Sequence, residues 1–345
     1  MATEQESGET LRESTRSGPY VAFIRWMESL SESAFAYFLL APALLLMTVI
    51  AVYPLIQTFS YSLFANQLTG VERLGEFVGF QNYVALFTGA RDASLPSSFL
   101  PTFSSQFPFV TNWFNSALMV TLIFTVFSVL FETIIGFGQA LILDQDFRGR
   151  RWVRVAIIIP WAVPIVIQGM IFFLMFQPNI GFLVGTPGNP SIMNQLGPLS
   201  ISFTPLRNTA DSLFLIIIAD VWKTTAFMAL LILAGLQSID RSLYDVAKVS
   251  GATKWQQFKM ITFPLILPTV LVAMLFRTIA AMRVYGIIET MAGCTTVPSL
   301  SCLVVSTFNN SLYATSATVA FVTAALIGIV VSVYIVKFAD AEGGF

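Results

Sequence analysis

Apolar residues run through this chain in long unbroken stretches, and the polar positions gather between them. Such runs fall at Phe35 to Phe59, Trp113 to Leu143, Val153 to Phe176, Leu213 to Leu236, Pro264 to Ile288 and Thr315 to Val336. Each reaches the roughly 20 residues that a helix needs to cross the hydrocarbon of a bilayer. Strict alternation over ten-residue segments is missing, and backbone in lipid must satisfy its own hydrogen bonds. The pattern therefore predicts an all-α integral membrane protein of about six transmembrane helices, not a barrel. Composition agrees: of 345 residues 56% are hydrophobic and 11% charged, with a mean hydropathy of +0.76. No water-soluble domain could cover that balance with polar surface.

Residues 1–34 read as a cytoplasmic tail. Met1 to Gly18 carry too few apolar side chains to offset the entropy of ordering, which predicts disorder. Phe23, Ile24, Met27 and Leu30 then recur at helical spacing, as either an interfacial helix on the cytoplasmic face or an extension of the first span. The first apolar run is long enough to remain as a span and not be removed as a signal peptide. Residues 35–340 form one transmembrane domain, and 341–345 a cytoplasmic end.

Lys and Arg resist translocation when they lie in short loops near a span. With the N-terminus inside, twelve of the 18 basic residues fall in cytoplasmic segments, among them Arg148, Arg150, Arg151, Arg154, Arg241, Lys248, Lys254 and Lys259. Only Arg73, Arg91 and Arg207 fall outside. Both termini are thus expected inside a multi-pass protein of the cell membrane, and this asymmetry informs more than the net charge of -1.

Two long external connections, Asn66 to Asn112 and Asn179 to Ala210, are rich in Gly, Pro and Asn. They are expected to lack regular elements and to serve either as surfaces for an external partner or as plain solvated loops. The only cysteines, Cys294 and Cys302, fall in the last external connection, where the compartment can be oxidising. A disulfide there would contribute about 2 to 3 kcal/mol by chain entropy; the alternative is a pair of buried free thiols.

Catalytic chemistry is thin. The chain has no histidine, which excludes His-dependent triads, His-ligated zinc and HExxH proteolysis. No GxxxxGK[ST] run is present to cradle nucleotide phosphates. Asp144 and Asp146 lie beside basic residues, as on a solvated face. The chain reads as non-catalytic, and neither a metal, a cofactor of its own nor a nucleic-acid partner is expected.

One polar island, from Ser242 to Pro268, interrupts the lipid-facing pattern. Asp240 or Ser242 can cap a first helix with an apolar side at Leu243, Val246, Ala247 and Val249. Gly251 breaks it. Thr253 and Gln256 form a capping-box pattern for a second helix, whose Trp255, Phe258 and Ile261 share a face. Pro264 and Pro268 are expected to end that helix and open the next span. Two short helices joined by a glycine turn, with apolar residues exposed beside a membrane, predict a knob buried in a partner.

Tyr244-Asp245-Val246-Ala247, Ser250-Gly251-Ala252, Phe258, Ile261 and the ending from Pro264 to Pro268 resemble the EAA signature of ABC importer permeases. Asp245 stands for the usual glutamate, Val246 for the first alanine and Ser250 for the usual aspartate. In that family the loop, here 238–264, is the coupling helix that enters a cleft of the ATPase. The resemblance implies ATPase-coupling roles for Tyr244, Asp245, Ala247, Gly251, Ala252, Phe258 and Pro264.

The likeness extends over residues 35–340. Ala140-Leu141, Arg148-Gly149-Arg150, Arg154, Pro160 and Pro164 are similar to carbohydrate-uptake permeases of the maltose type. So are the run from Phe77 to Tyr83, Trp222-Lys223, Arg277-Thr278 and Arg283-Val284-Tyr285, while Ala292-Gly293-Cys294-Thr295 replaces the family's Thr-Gly-Gly-Pro. The resemblance implies a second permease subunit, two ATPase subunits holding ATP and Mg, an external solute-binding protein and a sugar substrate.

Charge inside the spans points to a pathway independently, because an ionised side chain at mid-bilayer costs about 2.5 to 3.5 kcal/mol and usually faces a bundle interior or a water-filled cavity. Asp220, Trp222, Lys223, Thr224, Arg283, Tyr285 and Glu289 are the candidates to border it. For Asp220 and Lys223, three apart on one helix, mutual neutralisation is the alternative. Arg277, Arg283 and Glu289 are expected on the span after the island, and Glu132 on the second. The competing readings are an ion-coupled secondary transporter and a membrane-embedded enzyme; the first would leave the island without a task, and the second lacks a constellation.

Overall fold

The computed structural model describes residues 18–68, 74–90, 94–103, 110–111, 113–195 and 200–342. The expected disordered tail, save Gly18, lies outside them, as do Arg73, Arg91 and residues 343–345. The chain divides into two compact units, Met1–Gln57 and Thr58–Phe345.

In the first unit, α1 (Pro19–Glu28) precedes α2 (Glu32–Met47), which starts where the Ser31 hydroxyl accepts the Ala34 N–H. Phe23 and Trp26 of α1 close on Phe38 of α2, with ring centroids 6.0 and 5.3 Å apart. A wide π turn at Thr48–Val52 leads into α3 (Tyr53–Ser62), whose residues from Thr58 on belong to the second unit, and Glu32–Ser62 is helical over 31 residues. Pro54 explains the widening: it has no N–H, and its ring crowds the carbonyl four residues back.

The second unit is built on three helices, α5 (Ala117–Asp144), α8 (Thr209–Gln237) and α11 (Phe263–Met282), each packed against the other two. Gly136 lets α5 and α8 approach closely, since a Cβ there would lie 2.7 Å from Met228 Cβ and 3.1 Å from the Ala229 nitrogen. Close backbones of this kind are how helices associate where water supplies no hydrophobic drive. Two apolar clusters occupy the interior. One gathers Val120, Phe124, Phe172, Ile216 and Ile287, and the other Ala140, Leu143, Ile232, Leu236 and Ile266. A third holds Leu86 and Phe99 against Leu303 and Val319.

The expected third span is broken. Val153 to Phe176 forms α6 (Arg150–Ala162) and α7 (Ile165–Phe176), bent by 92°. Proline biases the residue before it away from the α region, and Val163, before Pro164, has φ -69° and ψ 127°. Counting the bent pair as one, the described residues hold up to six candidate spans.

The fifth span also differs from expectation. α11 stops at Met282, Arg283 and Tyr285 lie in the break, and Glu289 belongs to a separate helix, α12 (Gly286–Met291). At its other end the helix does not begin anew at Pro264. A second π turn at Phe258–Thr262 widens the helix ahead of that proline, so Lys254–Met282 continues for 29 residues.

The Asn66 to Asn112 connection carries regular elements after all. Strand β1 (Phe64–Asn66) pairs antiparallel with β2 (Leu74–Phe77), α4 (Gln81–Phe87) follows, and β3 (Thr102–Phe103) pairs with β4 (Val110–Thr111). Long-range hydrogen bonds override the local breakers. Asn82 donates to the Ser62 and Phe64 carbonyls, and the Asn66 amide oxygen accepts from Ala314 and Thr315 at the start of α14 (Tyr313–Glu342). Between the remaining connections, α13 (Leu300–Asn309) packs on α14.

Candidate functional site

Three charged side chains meet in the neck between the two apolar clusters of the central helices. The inward face of α5 runs Thr121, Thr125, Ser128 and Glu132, at three- and four-residue spacing and all buried. Arg277 reaches from α11: its Nε and one terminal nitrogen donate to the two Glu132 oxygens, the latter at 2.9 Å, and the same terminal nitrogen donates to Asp220 on α8. Glu132 is 0% exposed, and Asp220 and Arg277 are 7% exposed. Two carboxylates thus share one guanidinium, whose planar fork suits carboxylate recognition.

The alternative in which Asp220 is neutralised by Lys223 is replaced by a pairing with Arg277. Asp220 turns inward to the forked donor on α11, and Lys223 has no salt bridge among the described residues. Around Asp220 the backbone is held too. Thr224 donates to the Asp220 carbonyl at 2.6 Å, and buried Gln168 of α7 donates to the Ala219 carbonyl at 2.5 Å. Two residues on from Asp220, Trp222 is partly exposed and edge-on to Phe172, with centroids 5.5 Å apart, while Lys223 is half-buried.

The remaining pathway candidates form a separate group at the α11–α12 break. Arg283 is exposed and its Nε donates to the Ile279 carbonyl at 3.3 Å. Tyr285 is half-buried, and the exposed Glu289 accepts the Cys294 N–H at 3.1 Å. Cys294 and Cys302 are joined as a disulfide, with Cα atoms 5.4 Å apart. Glu289 therefore holds the disulfide loop. Glu132 and Arg277 were visible as intramembrane charges, but nothing local indicated that they complete the Asp220 site.

At the opposite end of α8 the polar island forms α9 (Arg241–Val249) and α10 (Lys254–Gln257). Asp240 caps α9; the N–H and hydroxyl of Ser242 hold its carboxyl below the usual carboxylate range. α9 ends as the sequence predicts, at Gly251 with φ +79°. Gly251 N–H donates to the Lys248 carbonyl and Ala252 N–H to the Ala247 carbonyl, the two bonds of a Schellman motif. The Thr253–Gln256 capping box is present.

Two contacts fix this loop to the bundle. Tyr244 and Thr262 share a hydrogen bond of 2.9 Å, and Arg241 pairs with Asp144 at the end of α5, also at 2.9 Å. Phe258 packs edge-on against Phe137, whereas Asp245 is exposed and pairs with Lys248. Leu243, Val246, Val249, Trp255 and Met260 all remain exposed, Val249 at 92%. A cavity of about 340 Å³ lies behind them, lined by residues including Asp144, Arg241, Tyr244, Lys254 and Phe258.

A family model described as "Binding-protein-dependent transport system inner membrane component" matches residues 132–340. The chain is 35% identical over 262 residues to the trehalose/maltose transport system permease protein MalF of Thermococcus litoralis, covering 76% of this chain and 78% of the relative. It is 37% identical over 270 residues to the sulfoquinovosyl glycerol transport system permease protein SmoG of Agrobacterium fabrum, covering 78% and 77%. In fold it is similar to a chain of a bacterial alginate ABC transporter, solved with a periplasmic protein carrying an alginate pentasaccharide. That likeness has a TM-score of 0.66 at 21% identity and covers 90% of this chain and 96% of the other.

Proposed function

The chain belongs to the binding-protein-dependent inner-membrane transport components, the permease subunits of ABC importers, and from that premise we propose that it passes a sugar or related carbohydrate. Importers of this class work with a binding protein and further subunits. In our reading this chain and a second permease form the path, an external receptor delivers the solute, and two ATPase subunits grip the permeases from the cytoplasm. ATP and Mg reside on those ATPases, and this chain performs no catalysis. In the same reading both termini face the cytoplasm, which the distribution of Lys and Arg supports.

The observation that carries the reading is the α9–α10 knob, whose apolar stripe remains exposed beside a charged cavity. A surface of this kind is a protein-interaction site, and Tyr244, Asp245, Ala247, Gly251, Ala252, Phe258 and Pro264 shape it. At the other end, Trp222, Lys223, Thr224, Arg283, Tyr285 and Glu289 border the solute path, and Asp220 holds the turn that presents Trp222 and Lys223. A photoreactive group at Val249 is the direct test, with the chain co-expressed with its partners. Cross-linking to an ATP-hydrolysing subunit, and solute uptake into vesicles that requires ATP, are expected. Uptake driven by an ion gradient without ATP would establish the secondary transporter instead.

A further inference from the structure

The start of α6 concentrates positive charge to which the permease reading gives no binding partner. Arg148, Arg150, Arg151 and Arg154 fall within seven residues. Among the described residues only Arg150 has a carboxylate partner there, Asp146 at 3.0 Å, and that carboxylate is 98% exposed. The buried Nε atoms of Arg150 and Arg154, one turn apart, have no acceptor. α6 begins at Gly149 with no side-chain cap and no acid in its first turn, so the positive end of the helix dipole adds to the arginines.

An exposed apolar stripe starts among the arginines and continues past them. Trp152, between Arg151 and Arg154, is followed by Val155 and Ile159 at helical spacing, and Trp152 is 77% exposed. The cluster joins two membrane helices, so it lies at a bilayer edge, and the Arg241–Asp144 pair places it at the docking-loop end. Charge and stripe together fit one molecule: an anionic head that meets the guanidinium groups and acyl chains that lie along the stripe. We propose that the N-terminal end of α6 is a binding site for an anionic phospholipid, with Arg148, Arg151 and Arg154 on the headgroup phosphate and Trp152, Val155 and Ile159 on the chains. This goes beyond the general sidedness of basic residues, because it requires a preference for headgroup charge at one place.

Trp152 reports on the site. The complete transporter is reconstituted with brominated phosphatidylglycerol or with brominated phosphatidylcholine, and quenching of the fluorescence that Trp152→Phe removes is compared. One arginine at an anionic surface contributes about a fivefold preference, so the glycerol lipid should quench at least that much more effectively at equal lipid concentration. The preference should fall toward one in the combined variant Arg148→Gln, Arg151→Gln, Arg154→Gln and survive in its all-lysine counterpart. Equal quenching by both lipids in the wild type, or a preference unchanged in the glutamine variant, would overturn the proposal. So would displacement of the lipid by free phosphate, which would make this a site for a soluble anion, or loss of the ATPase from the glutamine variant in every lipid, which would make it a protein contact.

Discussion

Replacing Arg277 with methionine, of similar length and without charge, should leave Glu132 and Asp220 facing each other with no cation. The loss comprises three charge-assisted hydrogen bonds inside the bundle. Removing one partner of a buried ion pair destabilises by about 3 to 5 kcal/mol, mainly because the remaining charge is stranded. Asp220→Asn should behave differently: it leaves Glu132 and Arg277 as a neutral bidentate pair, at a cost near that of one hydrogen bond between charged groups, about 1.5 to 3 kcal/mol. The combination Arg277→Met, Glu132→Gln, Asp220→Asn removes all charge and should recover much of the stability lost in Arg277→Met alone. Thermal unfolding of the purified complex, followed by burial of the native tryptophans, ranks the variants. If Arg277→Met melted with the wild type, or below its neutral combination by nothing measurable, the triad would not be holding these helices together.

Other consequences follow from the same geometry. Valine at Gly251, where φ is +79°, should cost about 1 to 3 kcal/mol of local strain and either release the ATPase or let it hydrolyse ATP without uptake; unimpaired coupled uptake would count against the docking role. Arg283→Ala should slow uptake about tenfold, the value of one hydrogen bond to a charged group, and Asp220→Ala should slow it through misplacement of Trp222 and Lys223. Co-purification of the partner subunits should be unchanged in both, and wild-type uptake would discard the assignment. Reducing or replacing the Cys294–Cys302 pair should cost about 2.5 kcal/mol by loop entropy, and alkylation before and after reduction should label only the reduced protein.

What could be foreseen along the chain was what local chemistry decides. Gly251, the Asp240 cap and the Thr253–Gln256 box lie within a few residues of their partners, so their turns were legible. The bend at Val163 had its signal in Pro164, but an apolar run of spanning length concealed it. At Arg283 there was less to see, since Val284, Ile287 and Ile288 continue the apolar pattern while α11 has already ended. Glu132 and Arg277 are 145 residues apart. Burial makes a partner necessary for each, but one chain read end to end does not say which of several charges it is.

The triad gains its meaning from where the proposed docking loop is attached. α8 leaves the bundle into that loop, and the helix that returns from it runs unbroken from Lys254 to Met282 because the π turn absorbs Pro264. Trp255 and Phe258, at the loop, are therefore on the same rod as Arg277, roughly 30 Å away at 1.5 Å per residue. Arg277 in turn holds α8 through Asp220 and α5 through Glu132. A displacement at the loop that met only apolar packing at this depth could separate α8 from α11. With a shared guanidinium between them, separation would strand buried charge, so the three helices move together at less cost than they part. Trp222 and Lys223 sit within one turn of Asp220 on the clamped helix, which is how a push on one end of the bundle would reach the face proposed to meet the solute.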